Sequence, residues 1–274
     1  MYSALNSTET INELFIRTLS YTENSTILTY TRNIILPDKT ISYGHHPDQI
    51  VDIYRGRSCD RPLVILIHGG HYNPQIDRKY LYLFAHTLAK HHKWQVAVVE
   101  YRRIYGKPNI YTNDILEAVR CARHRAKNHN GKIILIGHSA GGQFALWLNS
   151  KTNNISGIMG TIALAPVTDL IQRSIISSNE QAVKKFLGDK LPLETILKLN
   201  PISLQYNTNP ITIIHGDLDI RVPLLQSVYF VKKFEDDAQM NIKYIEVRNI
   251  GHFEVVDPRD VVFNIIIEEL LQFI

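Results

Sequence analysis

Six short apolar runs recur along the chain, at residues 62–68 (PLVILIH), 95–101 (QVAVVEY), 132–138 (KIILIGH), 158–165 (IMGTIALA), 211–215 (ITIIH) and 242–247 (IKYIEV). They are rich in Ile, Leu and Val and show little polar alternation. A strand with one wet face alternates; a strand buried on both faces does not. Patterns of helical period separate most of these runs. Residues 77–91 bring Leu81, Phe84, Ala85, Leu88 and Ala89 to one face, and residues 113–127 repeat Ile115, Ala118, Val119 and Ala122. Residues 223–234 begin with a Pro, which suits a first helical turn. Residues 258–274 carry Val261, Val262, Ile265, Ile266 and Leu270 and read as a closing helix. This alternation predicts an α/β fold, with a mostly parallel, doubly wound sheet flanked by helices.

The remaining segments read as additions to that sheet. Residues 26–36 and 49–54 predict two extra strands, an antiparallel hairpin at the sheet edge. Residues 1–25 read as a helical N-terminal extension, and residues 168–205, between two core strands, as a small lid insertion. No repeat or long Gly/Ser linker divides the 274 residues, so a single domain is expected. The charge sum of 30 basic against 26 acidic residues is spread along the chain and gives no case for nucleic acid. No apolar run reaches the 18 or so residues of a membrane span. The first residues lack the basic and apolar regions of a signal peptide, so a cytoplasmic protein is expected, as a monomer or homodimer. Cys59 and Cys121 have no spacing that suggests a zinc site or disulfide framework.

The chemistry concentrates at loops that follow the apolar runs. Gly137-His138-Ser139-Ala140-Gly141 is G-x-S-x-G, between a predicted strand and a predicted helix. In that context the Ser occupies a strained turn that exposes its hydroxyl, and the helix N-terminus favours developing negative charge. The blander reading is a Gly-rich turn with a capping Ser. A serine nucleophile needs a base, and His252 follows the last predicted strand. The base needs an orienting carboxylate. Asp219 is preferred; Asp217, nearer the strand, reads as a turn former, and Asp169 is a further alternative. The chain order is then Ser139, Asp219, His252. After the first strong strand comes His68-Gly69-Gly70-His71-Tyr72. Its glycines allow a tight turn whose N–H groups at Gly70 and His71, with that of Ala140, would form an oxyanion hole.

These motifs resemble those of the α/β-hydrolase superfamily, in its esterase branch with HGG and GxSAGG signatures, arylformamidase-like or carboxylesterase-like. The carrying segments are YGHHPDQIVDIY at 43–54, HGGHYN at 68–73, VEYRR at 99–103, GHSAGGQFALW at 137–147, HGDLDIRVP at 215–223 and GHFEVVDP at 251–258. The resemblance implies a serine hydrolase that cleaves a carboxylic ester through an acyl-enzyme, with no cofactor and no metal. Its alternatives are an arylformamidase, cleaving an amide of the N-formylkynurenine type, and a specialised ester or lactone hydrolase such as a macrolide esterase. His71-Tyr72 departs from the aromatic pair of the formamidase pattern, and from the third Gly of the lipase-like pattern. Tyr72 and Phe253 are the expected acyl-pocket residues, whereas Phe144 and Trp147 read as core. Glu100, Arg102 and Arg103 read as a structural ion-pair network. His45-His46 and His91-His92 lack the i, i+4 spacing of a helical metal site and read as solvated loops.

Overall fold

All six apolar runs are strands. The computed structural model describes residues 35–151, 153, 155–176 and 181–274. Within them one eight-stranded sheet is formed by β1 (Lys39–Ser42), β2 (Ile50–Tyr54), β3 (Leu63–Ile67), β4 (Val96–Val99), β5 (Ile133–His138), β6 (Ile158–Leu164), β7 (Ile211–Gly216) and β8 (Ile242–Val247). The order across the sheet is β1-β2-β4-β3-β5-β6-β7-β8. β2 pairs antiparallel with β1 and β4, and every pair from β4 to β8 is parallel.

The missing alternation has a simple cause. Every residue of β3 and β5 is buried. Leu63, Ile65 and Ile67 pack on one face with Ile115, Val119 and Phe144, from α2 (Pro108–Arg125) and α3 (Ala140–Asn149). Val64 and Leu66 pack on the other with Phe84 and Leu88 of α1 (Tyr82–Lys90) and Val262 and Ile266 of α8 (Val261–Leu271). Burying one such side chain contributes about 1.5–3 kcal/mol, so the two apolar layers dominate the stability of the sheet.

The edge hairpin differs from the expected one. β2 lies where the sequence placed it, but its partner is β1 at Lys39–Ser42, not residues 26–36. β1 buries only Ile41, so it has no apolar run to read. Leu36 is exposed and outside any strand, while residues 26–34 and the predicted extension 1–25 lie outside the described residues. Helix α2 begins at Pro108, five residues ahead of the apolar repeat, because Pro fits the first turn. Among the described residues, the 168–205 insertion holds the short α-helices α4 (Leu170–Ile176), α5 (Gln181–Leu187) and α6 (Leu193–Leu197). The helix after β7, α7, runs over Leu225–Phe234.

Strand order positions the site. The chain leaves β3 for β4 on one side, then crosses back to β5 on the other. Loops at the carboxyl ends of β3 and β5 therefore diverge, and open sheets of this kind bind ligands at that divergence. The HGG loop follows β3 and Ser139 follows β5.

Candidate active site

Ser139 sits between β5 and α3 with φ 58° and ψ −122°, a left-handed conformation that costs a non-glycine residue about 1–3 kcal/mol. Its neighbours hold it there. The Ser139 N–H donates to Leu164 C=O at 2.9 Å, and its own C=O accepts from Gly142 N–H at 2.9 Å. At Gly141 a Cβ would land on the carbonyl oxygen of Ile67, so the helix can approach β3 only without a side chain there. The N–H of Ala140, in the first turn of α3, has no acceptor within its own helix.

Ser139 and His252 line one small pocket, together with Gly70, His71, Ile76, Tyr80, His138 and Phe253. Both are almost fully buried. Asp219, on the loop after β7, accepts from His252 Nδ1–H at 2.6 Å through Oδ2. The same oxygen lies 3.2 Å from Nε2 of His215. Oδ1 accepts from the N–H groups of Arg221 at 2.7 Å and Val222 at 2.8 Å. Burial opposes ionisation of Asp219, but the charge of His252 and the hydrogen bonds from His215 and His252 hold its carboxyl well below the usual range. A carboxylate held this way fixes the imidazole with Nδ1 protonated, which leaves Nε2 as the unprotonated ring nitrogen.

The other two aspartates have different work. Asp217 Oδ1 accepts from Asn249 N–H at 2.7 Å, which ties the β7 and β8 loops together. Asp169 Oδ1 accepts from the N–H groups of Ile171 and Gln172, both at 3.0 Å, and so caps α4.

The HGG loop turns through three left-handed residues, Gly70 (φ 108°), His71 (φ 55°) and Tyr72 (φ 57°). Gly70 and His71 both reach the pocket that holds Ser139. The His71 imidazole is pushed down to about 4 by burial, reinforced by the charges of His252, Arg221 and Arg173. It is therefore neutral at pH 7. Phe253 lines the pocket, whereas the Tyr72 ring lies in an aromatic cluster, stacked on Phe186 at 4.2 Å and edge-on to Phe144 at 5.9 Å. Tyr111 Oη–H donates to Tyr72 C=O at 3.0 Å, which braces the loop from α2. Phe144 and Trp147 are core residues. Because Phe186 belongs to α5, the insertion packs directly on the HGG loop.

The sequence signature of the BD-FAE family matches residues 51–234. The chain belongs to the BD-FAE family. It is 20% identical over 265 residues to Esterase LipC of Mycobacterium tuberculosis, an alignment with 80% of this chain and 60% of that relative's length. Among solved structures, esterase B from Lactobacillus Rhamnosis has the same fold, with a TM-score of 0.72, 19% identity and coverage of 90% of this chain and 89% of that one. That esterase has also been solved inhibited by a tributyrin phosphonate. A truncated carbohydrate esterase from gut microbiota superposes with a TM-score of 0.71 at 19% identity, covering 86% of this chain and 96% of that one.

Two supporting networks of this BD-FAE member were not legible as site features. Beneath the HGG loop, the buried Glu100 carboxylate is ion-paired with Arg103 and lies 3.0 Å from His68 Nε2 and 3.2 Å from Arg78 Nη1. Burial opposes its ionisation, yet His68 and Arg103 hold it well below the ordinary carboxylate range. Arg78 continues to Asp52 of β2 at 2.5 Å. Arg102 pairs instead with Asp114 of α2, at 2.7 Å. The expected ion-pair network is thus two, one clamping the HGG strand end and one clamping α2. The second network joins Gly69, Tyr80, His138 and His252. Tyr80 lies off the apolar face that Leu81, Phe84 and Leu88 mark in the 77–91 pattern, and His138 stands at a variable position of G-x-S-x-G, so neither carries a signal in the sequence.

Proposed function

We propose that the protein is a serine hydrolase that cleaves small carboxylic esters through an acyl-enzyme. The observation that carries this reading is the 2.6 Å bond from His252 Nδ1–H to the buried Asp219 carboxylate, in a protein whose His252 shares a pocket with an elbow serine. Ser139 Oγ attacks the ester carbonyl carbon while His252 Nε2 takes its proton. The carbonyl oxygen gains the charge, and the N–H groups of Gly70, His71 and Ala140 hold it. The tetrahedral intermediate collapses, His252 protonates the departing alcohol, and an ester to Ser139 remains. Water then attacks that ester by the same steps and the acid leaves.

The esterase names of the structural neighbours and of the mycobacterial relative support this reaction class. Arylformamide or macrolide cleavage would use the same residues on a bulkier substrate.

The test is a fluorophosphonate probe followed by peptide mapping, with kcat/KM for p-nitrophenyl acetate, butyrate and octanoate, N-formylkynurenine and a macrolide lactone. Label at Ser139, its loss in Ser139→Ala, and turnover of the short p-nitrophenyl esters are expected. A folded Ser139→Ala protein with undiminished turnover would refute the assignment. A tenfold preference for the formamide or the lactone would replace the substrate class and leave the mechanism.

A further inference from the structure

We propose that Tyr80 and His138 are a positioning pair that holds the oxyanion loop, the serine elbow and the catalytic base in one register. This rests on the reading of Ser139, His252 and the HGG loop given above. The four groups involved come from four separate segments: Gly69 from the loop after β3, Tyr80 from the 3₁₀ turn Arg78–Leu81 before α1, His138 from the end of β5, and His252 from the loop after β8. Tyr80, His138 and His252 are all buried.

The donor and acceptor roles follow from elementary chemistry. His138 Nε2 lies 2.9 Å from the His252 C=O, which can only accept, so Nε2 carries the proton. Burial and the charge of His252 keep the His138 ring in its neutral form. Its Nδ1 is then a lone pair and must accept, so Tyr80 Oη–H donates to it at 3.0 Å. The Tyr80 oxygen accepts in turn from Gly69 N–H at 2.6 Å. Each proton has one direction, from Gly69 to Tyr80 to His138 to His252. Both ends of the chain sit beside reacting parts. Gly69 precedes the two proposed loop donors, and the His252 carbonyl belongs to the base itself. Because His138 immediately precedes Ser139, the chain also passes through the elbow. A fully satisfied buried polar chain of this kind specifies a single arrangement, since any slip leaves an unpaired polar group in an apolar site.

Pure packing is the rival account, and Tyr80→Phe separates the two because it keeps the ring and removes the hydroxyl. Phosphonate labelling of Ser139 is established first on the parent protein. Then kcat and KM for p-nitrophenyl butyrate, the rate of Ser139 phosphonylation and the Ki of a short alkyl trifluoromethyl ketone are measured on parent and variant. Loss of a complete oxyanion-hole donor costs about 10²–10³-fold, so a donor left in place but misaligned should cost about 10-fold or more. The expected result is that kcat and phosphonylation fall at least tenfold, KM stays within threefold, and the ketone Ki rises with the fall in kcat. A folded variant with kcat within threefold of the parent, or KM and Ki rising equally, would overturn the pairing role. Should Tyr80→Phe fail to fold, His138→Asn decides by the same criteria, because its shorter amide can still accept from Tyr80 in place of Nδ1 but cannot also reach the His252 carbonyl. No label at Ser139 in the parent would instead overturn the proposed function, and this inference with it. A labelled parent with an unaffected variant overturns the pair alone.

Discussion

Replacing Gly69 by Ala puts a methyl group between the HGG loop and the nucleophile. The Gly69 backbone is not left-handed, so the penalty is contact rather than strain. A Cβ built there lies 2.6 Å from the His138 carbonyl oxygen and 2.8 Å from Ser139 Cβ. Ordinary carbon contacts sit at about 3.5–4.0 Å, so the loop and the elbow must part by about 1 Å. Neither obstacle is the far end of a flexible side chain, so the backbone itself must yield. Overpacking of this size costs about 1–3 kcal/mol, and a domain with about 5–15 kcal/mol of stability survives it. Catalysis is less forgiving: a displacement of about 1 Å in a reacting geometry costs about 10²-fold. The Gly69→Ala protein should therefore fold, melt at lower urea concentration, and hydrolyse p-nitrophenyl butyrate about 100-fold more slowly than the parent. The rate of Ser139 phosphonylation should fall in parallel, because both reactions use the same loop. Turnover within threefold of the parent in a folded protein would refute the idea that the HGG loop abuts the elbow during catalysis.

Three further expectations follow from the same geometry. Asp219→Asn presents an amide to His252 Nδ1 and should lower kcat by about 10⁴-fold, the scale found where a triad carboxylate elsewhere becomes an amide; steady-state kinetics with a circular-dichroism check on folding decides it. Glu100→Gln leaves the guanidiniums of Arg78 and Arg103 without their shared carboxylate and should destabilise the fold by about 3–5 kcal/mol in urea titration, whereas a loss below about 1 kcal/mol would show that the network is dispensable. Acid should unfold the protein well above the carboxylate range. His71 and His138 stay neutral below the ordinary imidazole value of about 6.5 when folded but bind protons near that value when unfolded, so stability must fall as pH drops through about 6.5 and continue to fall towards 4, where His71 itself titrates. A urea midpoint that is flat between pH 7 and 5 would contradict this, and His138→Gln should reduce the slope by up to one proton, about 1.4 kcal/mol per pH unit.

Much of the architecture was written in local patterns. Five of the six apolar runs are strands buried on both faces almost throughout, whereas the sixth, β8 at the sheet edge, buries only Val247, and their spacing by helical patterns pointed to a doubly wound sheet. The elbow was legible for the same reason: glycines around Ser139 are demanded by backbone approach, a requirement that composition and spacing record directly. Where burial is shallow the record fades. β1 contributes only Ile41 to the core, so its four residues carried no signal, and the hairpin partner was sought among residues 26–36.

The sequence by itself determined the class of fold and put forward a candidate nucleophile and a short roster of acids and bases, because those depend on residue type and on distances of a few positions. Only the tertiary structure showed which of those acids meets His252. Asp217 and Asp219 are two residues apart, and what separates them is a partner 33 residues further on, His252, whose Nδ1 meets Asp219. The same holds for Tyr80 and His138, 58 residues apart yet 3.0 Å from ring nitrogen to hydroxyl. Hydrogen bonds between distant segments leave no periodic trace in a chain. They exist only once the sheet has brought the carboxyl ends of β3, β5, β7 and β8 to one edge.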